Sequence, residues 1–408
     1  MIKKVIILLL CLSFPFLNGC TPQKSSPFSA ESLESAASKE LKASVLDDRR
    51  YLKMNIVTKK DNMLYGKHVM PFSELQSDSS LKKFNVDSIG DDWIWNFNND
   101  REILFCSGPK DSMIAVHSLK NDQCTPLIHL EDGHVAGFKA INKDYLLWTE
   151  SSSDMWKDTT LHIYDLNTKK DKVFYTYTVN PQSGCIYAMN SNECVIWNQT
   201  VYFDDIVGID SNGNYQINLY AYKISDGSIA LIKKQAQNPF IYQNSLCWFE
   251  YDEDTGNPVM VLNDKKSPKK YLIHNGTSIF HSNGDTISVT DELTMPDTEK
   301  LFDPNQASSN IYSDKEKKTV DGLGFTLLNE TSVIPLLVTK GLSMGPAVSN
   351  SKAVVWSRIE GSVPMFYDIS SQNFVVMDTL PKGDYSCIMN DNELLFINEK
   401  TAYLLTLS

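Results

Sequence analysis

Short apolar runs alternate with polar turns along most of this chain, and residues Asn142 to Thr168 show the pattern most clearly. An Asn turn leads into Tyr145–Trp148, an acidic loop follows, and Leu161–Tyr164 forms a second run that ends in the tight turn Asp165-Leu166-Asn167-Thr168. Short runs rich in aromatic and β-branched residues, bounded by Asn, Asp, Gly and Ser, predict strands rather than helices. The pattern returns at Asn350–Trp356 followed by VPMFYDISS, and at Asn390–Phe396 followed by TAYLLTLS. In these copies, and at Asn99 to Phe105, an Asn stands six positions before an aromatic residue.

A strand-only unit repeated at roughly 40–50 residues predicts the blades of a β-propeller. With four strands per blade, the first starts at Trp93–Asn99 and the second at Ala136–Asn142. The third spans Gly184–Gln235 with a long loop, Thr200–Tyr215, after its second strand, and the fourth ends at Asn275. A fifth is interrupted by the polar stretch Leu293–Lys318, a sixth contains Ala353–Trp356, and a seventh has only three strands before Ser408. A ring must close or leave open sheet edges, so the missing strand is expected from Tyr51–Thr58 or Met63–Met70. The expectation is an all-β, seven-bladed propeller over residues 49–408, closed by an N-terminal strand. Six blades are the alternative if the fifth unit is incomplete.

The N-terminus adds a location. Lys3 and Lys4 precede the apolar stretch Val5–Leu12, which is too short to cross a membrane as a helix and reads as a signal peptide over residues 1–19. Its end, Leu17-Asn18-Gly19-Cys20, resembles a bacterial lipobox, which implies cleavage before Cys20 and acylation of its thiol. Residues 20–48, rich in Ser, Ala, Glu and Lys, then read as a tether; Leu33, Ala37, Leu41 and Val45 fall four apart, as on one helix face. The expected location is the extracytoplasmic side of a cell membrane, held by lipid.

The formal charge of −12 argues against nucleic acid as a partner. Six cysteines remain in the body, Cys106, Cys124, Cys185, Cys194, Cys247 and Cys387, with neither zinc-pair nor disulfide-scaffold spacing. Most lie in apolar runs and are expected to be buried thiols.

The blades resemble those of TolB-like and WD-repeat propellers. Gly133-His134 followed by Tyr164-Asp165 is similar to the Gly-His to Trp-Asp span of a WD repeat, and Tyr367-Asp368 keeps the second half. The resemblance implies a protein-binding body at the cell envelope; related propellers head peptidases or form sugar-active enzymes.

Candidate chemistry is sparse. Glu150, Glu250 and Arg358 each stand two residues after a strand Trp (Trp148, Trp248, Trp356), so each is expected on the Trp face in a funnel or between blades. Two such carboxylates could serve a glycosidase as acid and base. Gly341-Leu342-Ser343-Met344-Gly345 matches the serine-nucleophile pattern, but Pro346 and a strand follow where that motif requires a helix. His129 and His134 flank a Gly turn without a third ligand, and Asp210-Ser211-Asn212-Gly213-Asn214 lacks the closing acid of a calcium loop. No metal or cofactor is therefore expected. Two classes of function stand: a membrane-anchored body that binds a protein, peptide or glycan through its loops, with Thr200–Tyr215 and Leu293–Lys318 as recognition surface, or a lyase- or glycosidase-type enzyme with residues converging from several blades.

Overall fold

The computed structural model describes residues 44–45, 55–60, 63–65, 69–75, 81–89, 93–107, 112–152, 158–187, 194–211, 213–251, 258–263, 269–272, 279–282, 284–296, 319–328, 333–340, 347–356 and 358–407. The signal peptide, Cys20, most of the tether, the serine motif at 341–345 and most of the 293–318 stretch lie outside the described residues. Among those described, the regular structure is all strand apart from one 3-10 turn, Phe72–Glu74.

Five N-terminal strands come first: β1 (Ser44–Val45), β2 (Asn55–Lys60), β3 (Met63–Tyr65), β4 (Val69–Pro71) and β5 (Leu81–Asn85). The remaining strands build seven sheets. Sheet one is β6 (Trp93–Phe97), β7 (Glu102–Cys106), β8 (Met113–Ser118) and β9 (Gln123–His129). Sheet two is β10 (His134–Ile141), β11 (Tyr145–Ser152), β12 (Thr160–Asp165) and β13 (Lys170–Thr176). Sheet three is β14 (Cys194–Trp197), β15 (Thr200–Ile209), β16 (Tyr215–Lys223) and β17 (Ile229–Lys234). Sheet four is β18 (Gln237–Tyr242), β19 (Ser245–Tyr251), β20 (Pro258–Leu262) and β21 (Lys269–Leu272). Sheet five is β22 (Ile279–Ser282), β23 (Ile287–Pro296), β24 (Thr319–Leu328) and β25 (Val333–Lys340). Sheet six takes β26 (Ala347–Ser349) and β27 (Ala353–Trp356), passes over β28 (Arg358–Ser362), and ends with β29 (Met365–Asp368) and β30 (Asn373–Val376). Sheet seven orders β28, β31 (Gly383–Met389), β32 (Glu393–Asn398), β33 (Thr401–Thr406) and β5.

Six sheets thus carry a complete four-strand blade from one contiguous stretch, and the fold is an all-β propeller. The interrupted fifth unit is a full four-strand sheet. The seventh sheet is composite. Its outer strand is β5, antiparallel to β33 with Thr401 opposite Asn85 and Leu405 opposite Leu81. This corrects the closing strand expected at Tyr51–Thr58 or Met63–Met70. Those segments instead supply β2, which adds parallel to β25, and β4, which adds parallel to β30. β1 adds parallel to β21, so Ser44–Val45, and with them one member of the helix-spaced stripe, belong to a sheet.

By contact density the chain forms two compact units, one of residues 91–96 and 102–270, the other of residues 44–90, 97–101 and 271–408. In the first unit, sheets stack face to face. Leu146 and Trp148 pack with Trp95, Leu104 and Ile114 of sheet one, while Leu147 between them packs with Val201 and Phe203 of sheet three. A strand covered on both faces reads as a continuous apolar run, which is why YLLW shows no alternation. In the second unit, Val355, Phe366 and Val375 of sheet six close on Cys387, Leu394 and Phe396 of sheet seven in the same way.

The repeated Asn explains its own spacing. Asn350 Oδ1 accepts from the backbone N–H of Lys352 (2.8 Å) and Ala353 (2.7 Å), and Asn142 and Asn390 cap their turns alike. Its amide nitrogen then reaches the next sheet: Asn350 Nδ2 donates to Asn390 O at 2.8 Å, and Asn390 Nδ2 donates to Asn98 O at 3.0 Å. Arg101 completes this latch with a forked contact to the buried Glu393 carboxylate, Nη2 to Oε1 at 2.7 Å and Nε to Oε1 at 3.1 Å.

The third unit differs from expectation. Asn198 and Gln199 both have positive φ (50° and 60°), as a two-residue type I′ hairpin turn requires, so the second strand starts at once at Thr200. Thr200–Tyr215 is therefore mostly strand β15 rather than an inserted loop, and 293–296 likewise belong to β23.

Candidate functional site

Glu150 lies near the end of β11, two residues after Trp148 and on the same strand face. It joins a polar chain that crosses sheet two. Its Oε1 contacts His134 Nδ1 at 2.8 Å, and its Oε2 lies 3.5 Å from His162 Nε2. His162 is fixed in turn by Asp171 Oδ2 at Nδ1 (2.7 Å) and by Thr160 Oγ1 at Nε2 (2.9 Å). Trp148 Nε1 donates to the other Asp171 oxygen at 3.0 Å, and the Trp148 and His162 rings lie 4.1 Å apart. Each of the four strands contributes one member: His134, Glu150, His162 and Asp171. The Glu150 carboxylate is held by two imidazoles, an arrangement suited to fixing a sheet rather than to approaching a substrate.

Glu250 has the same kind of setting. It accepts from Trp248 Nε1 (2.9 Å) and Lys270 Nζ (3.0 Å), and Lys233 Nζ of sheet three stands 3.3 Å away. Burial pushes its pKa up, but these hydrogen bonds and the two lysine charges outweigh burial, and the carboxyl titrates below its ordinary value. A general acid needs the opposite shift. Arg358 does not share the Trp356 face on sheet six. It begins β28, which crosses to sheet seven opposite Ser386, and its guanidinium meets Glu360 at 2.8 Å on the surface. The three sequence-predicted residues thus stand on three different sheets.

His129 and His134 also fall on separate sheets, and His134 is engaged by Glu150. Asp210 caps its own turn through Asn214 N at 2.9 Å. Among the described residues no group of three His, Cys, Asp or Glu is disposed to hold a metal. The six body cysteines are thiols; Cys106, Cys194, Cys247 and Cys387 are buried, Cys185 is half-buried and Cys124 is exposed.

Sequence reasoning missed Asp204 and Asp205, adjacent buried residues on β15. Successive strand residues face opposite sides, so they point to different neighbours. Asp205 Oδ2 accepts from Tyr175 Oη (2.8 Å), Thr178 Oγ1 (2.6 Å) and Thr178 N (3.0 Å), beside sheet two. Asp204 Oδ2 accepts from Asn238 N of sheet four. Burial raises the Asp205 pKa despite these donors, and burial first, then the Asp205 charge, raises that of Tyr175. The pair ties three sheets together.

The exposed apolar side chains form a second pattern. In sheets one, three and four, Trp93 (52 % exposed), Ile209 and Tyr215 (47 % each) and Tyr251 (52 %) stand where a first strand begins or a second strand meets a third. Val179, in the connection leaving sheet two, joins them. In each sheet these positions fall at the same end, because antiparallel strands alternate in direction. The first unit therefore presents large apolar residues along one rim.

No family model matches the chain, and no curated protein matches it. Solved structures similar to it are propellers of low identity. An oligogalacturonate lyase from Vibrio parahaemolyticus is 13% identical, with a TM-score of 0.49, over 81% of this chain and 97% of that one. The β-propeller domain of the Trilobed protease from Pyrococcus furiosus is 10% identical, with a TM-score of 0.46, over 76% and 91%. BamB from Moraxella catarrhalis is 9% identical, with a TM-score of 0.40, over 76% and 84%.

Proposed function

We propose that the protein is a lipid-anchored, extracytoplasmic propeller that binds another protein or peptide through the apolar rim of its first unit. Each of its seven sheets is taken as a blade, with β5 as the outer strand of the last.

One observation carries the binding reading: Trp93, Val179, Ile209, Tyr215 and Tyr251 are exposed at the corresponding end of their sheets. Aromatic residues of this kind are enriched at protein interfaces, where a few of them supply most of the binding energy. In place of the loop expected at Thr200–Tyr215, the β15–β16 strand pair carries Ile209 and Tyr215 at its tip, within the proposed surface. The buried carboxylates meanwhile hold sheets: Glu150 through His134 and His162, Glu250 through Lys233 and Lys270.

The anchor rests on Leu17-Asn18-Gly19-Cys20. More than one acyl chain gives stable membrane attachment, since each buried CH₂ contributes about 0.8 kcal/mol. Membrane fractionation of the native protein and of Cys20→Ser tests this: the variant moves to the soluble fraction, and retention of the variant on membranes refutes it. For the rim, Trp93→Ser/Tyr215→Ser/Tyr251→Ser keeps the melting temperature and loses partners that the wild-type protein retains. Equal retention by both proteins refutes the rim.

A further inference from the structure

The N-terminal strands follow the sheets in order. β1 lies on the outer strand of sheet four, β2 on that of sheet five, β4 on that of sheet six, and β5 completes sheet seven. The first three are parallel additions to a finished four-strand sheet. Successive strands begin at Ser44, Asn55, Val69 and Leu81, so the chain advances one sheet per 11–14 residues. This segment is a strap laid along consecutive outer edges.

One step further back is sheet three. Its outer strand β17 pairs only with β16 among the described residues, and it exposes Ile229 (43 %) and Leu231 (45 %). An unpaired, apolar outer edge is a template for an added strand. The edge is also basic within an acidic protein. Lys234 ends β17, Lys233 before it stands 3.3 Å from Glu250 of sheet four, and Lys172 of sheet two reaches Tyr222 Oη at 3.1 Å near the turn that starts the strand. Stepping back 11–14 residues from Ser44 reaches residues 30–33 and the sequence Glu31-Ser32-Leu33-Glu34-Ser35. It offers one apolar side chain between two acids, complementary to that edge.

We infer that residues 31–35 add parallel to β17, as a further turn of the strap. The anchor then leaves the body at sheet three, and Cys20 is separated from the strap by about ten residues, on the order of 15–20 Å root-mean-square for a flexible chain. The body is held close to the membrane with this sheet's edge toward it. This inference stands on strand order and charge, and does not depend on the binding rim.

Amide hydrogen exchange on the full mature chain tests it, with controls inside the same molecule. β25 and β30 have covered outer edges, whereas β9 and β13 have none among the described residues. The outward amides of Ile229–Lys234 are expected to exchange as slowly as those of β25 and β30. In Glu31→Lys/Glu34→Lys they should accelerate about tenfold or more, the scale of one lost hydrogen bond, while Val354 and Leu395 amides stay unchanged and report an intact fold. Wild-type exchange at the β9 and β13 rate overturns the inference. So does protection that survives the charge reversal but disappears on dilution, which identifies a second copy as the occupant.

Discussion

Replacing Asn350 with Ala tests whether the repeated Asn is structural cement. Asn350 is buried, and its side chain makes a cap to Lys352 N and Ala353 N and a latch to Asn390 O. Losing the hydrogen bonds by which Asn350 Oδ1 holds its turn costs about 1 kcal/mol. Losing the latch adds about 1 kcal/mol, and the N–H of the fully buried Ala353, left without its acceptor, adds a further fraction of its desolvation penalty. The sum is about 2–3 kcal/mol, large against the stability of an ordinary domain. Urea unfolding followed by tryptophan fluorescence measures it, because Trp356 is buried in the same sheet. Asn121→Ala, whose exposed amide meets only Gln123 at 3.1 Å among its described contacts, is the control and should shift stability by less than about 0.5 kcal/mol. If Asn350→Ala unfolds like that control, the spacing of Asn before an aromatic residue has another cause.

Two further predictions use the buried carboxylates. Glu250→Gln should cost about 1–2 kcal/mol at neutral pH, because Lys233 and Lys270 lose their counter-charge. The folded-state pKa of Glu250 is depressed, so its stabilisation is present above the unfolded value near 4.5 and is lost as pH falls through the folded one. Melting temperatures of the two proteins should therefore converge as pH falls through the depressed folded value; a constant gap contradicts the ion-pair reading. Asp205 has the opposite sign. Its folded pKa is raised above 3.8, so wild-type stability declines as pH rises from there through the folded value, and neutral Asn avoids that loss. Asp205→Asn should gain on wild type as pH rises, seen as a growing difference in urea midpoint, and a difference that shrinks refutes the assignment.

Much of the architecture was legible because its cause is local. Runs such as YLLW and AVVW are buried on both faces, and Asn142, Asn350 and Asn390 mark the turns that start them. The errors have physical reasons. Asp204 and Asp205 made β15 read as a loop, because nothing local reveals that Tyr175, Thr178 and Asn238 will satisfy them. Lys82 and Lys83 are exposed on β5, so the closing strand reads as polar chain. β1 and β4 are too short to carry a period, and only their pairing to β21 and β30 defines them. No local signal names the partners of the two glutamates, His134 and His162 for Glu150 and Lys233 and Lys270 for Glu250. The remaining signal was a histidine inside the apolar run Leu161–Tyr164, a position that demands a polar partner.

Crosslinking the protein in its native membranes and mapping the crosslinked positions by mass spectrometry tests the central claim most directly. The account predicts intermolecular crosslinks concentrated near Trp93, Ile209, Tyr215 and Tyr251, and their loss in the triple rim variant. Crosslinks concentrated at the opposite end of these sheets, near the 198–199 and 243–244 turns, and unchanged in that variant, would contradict it.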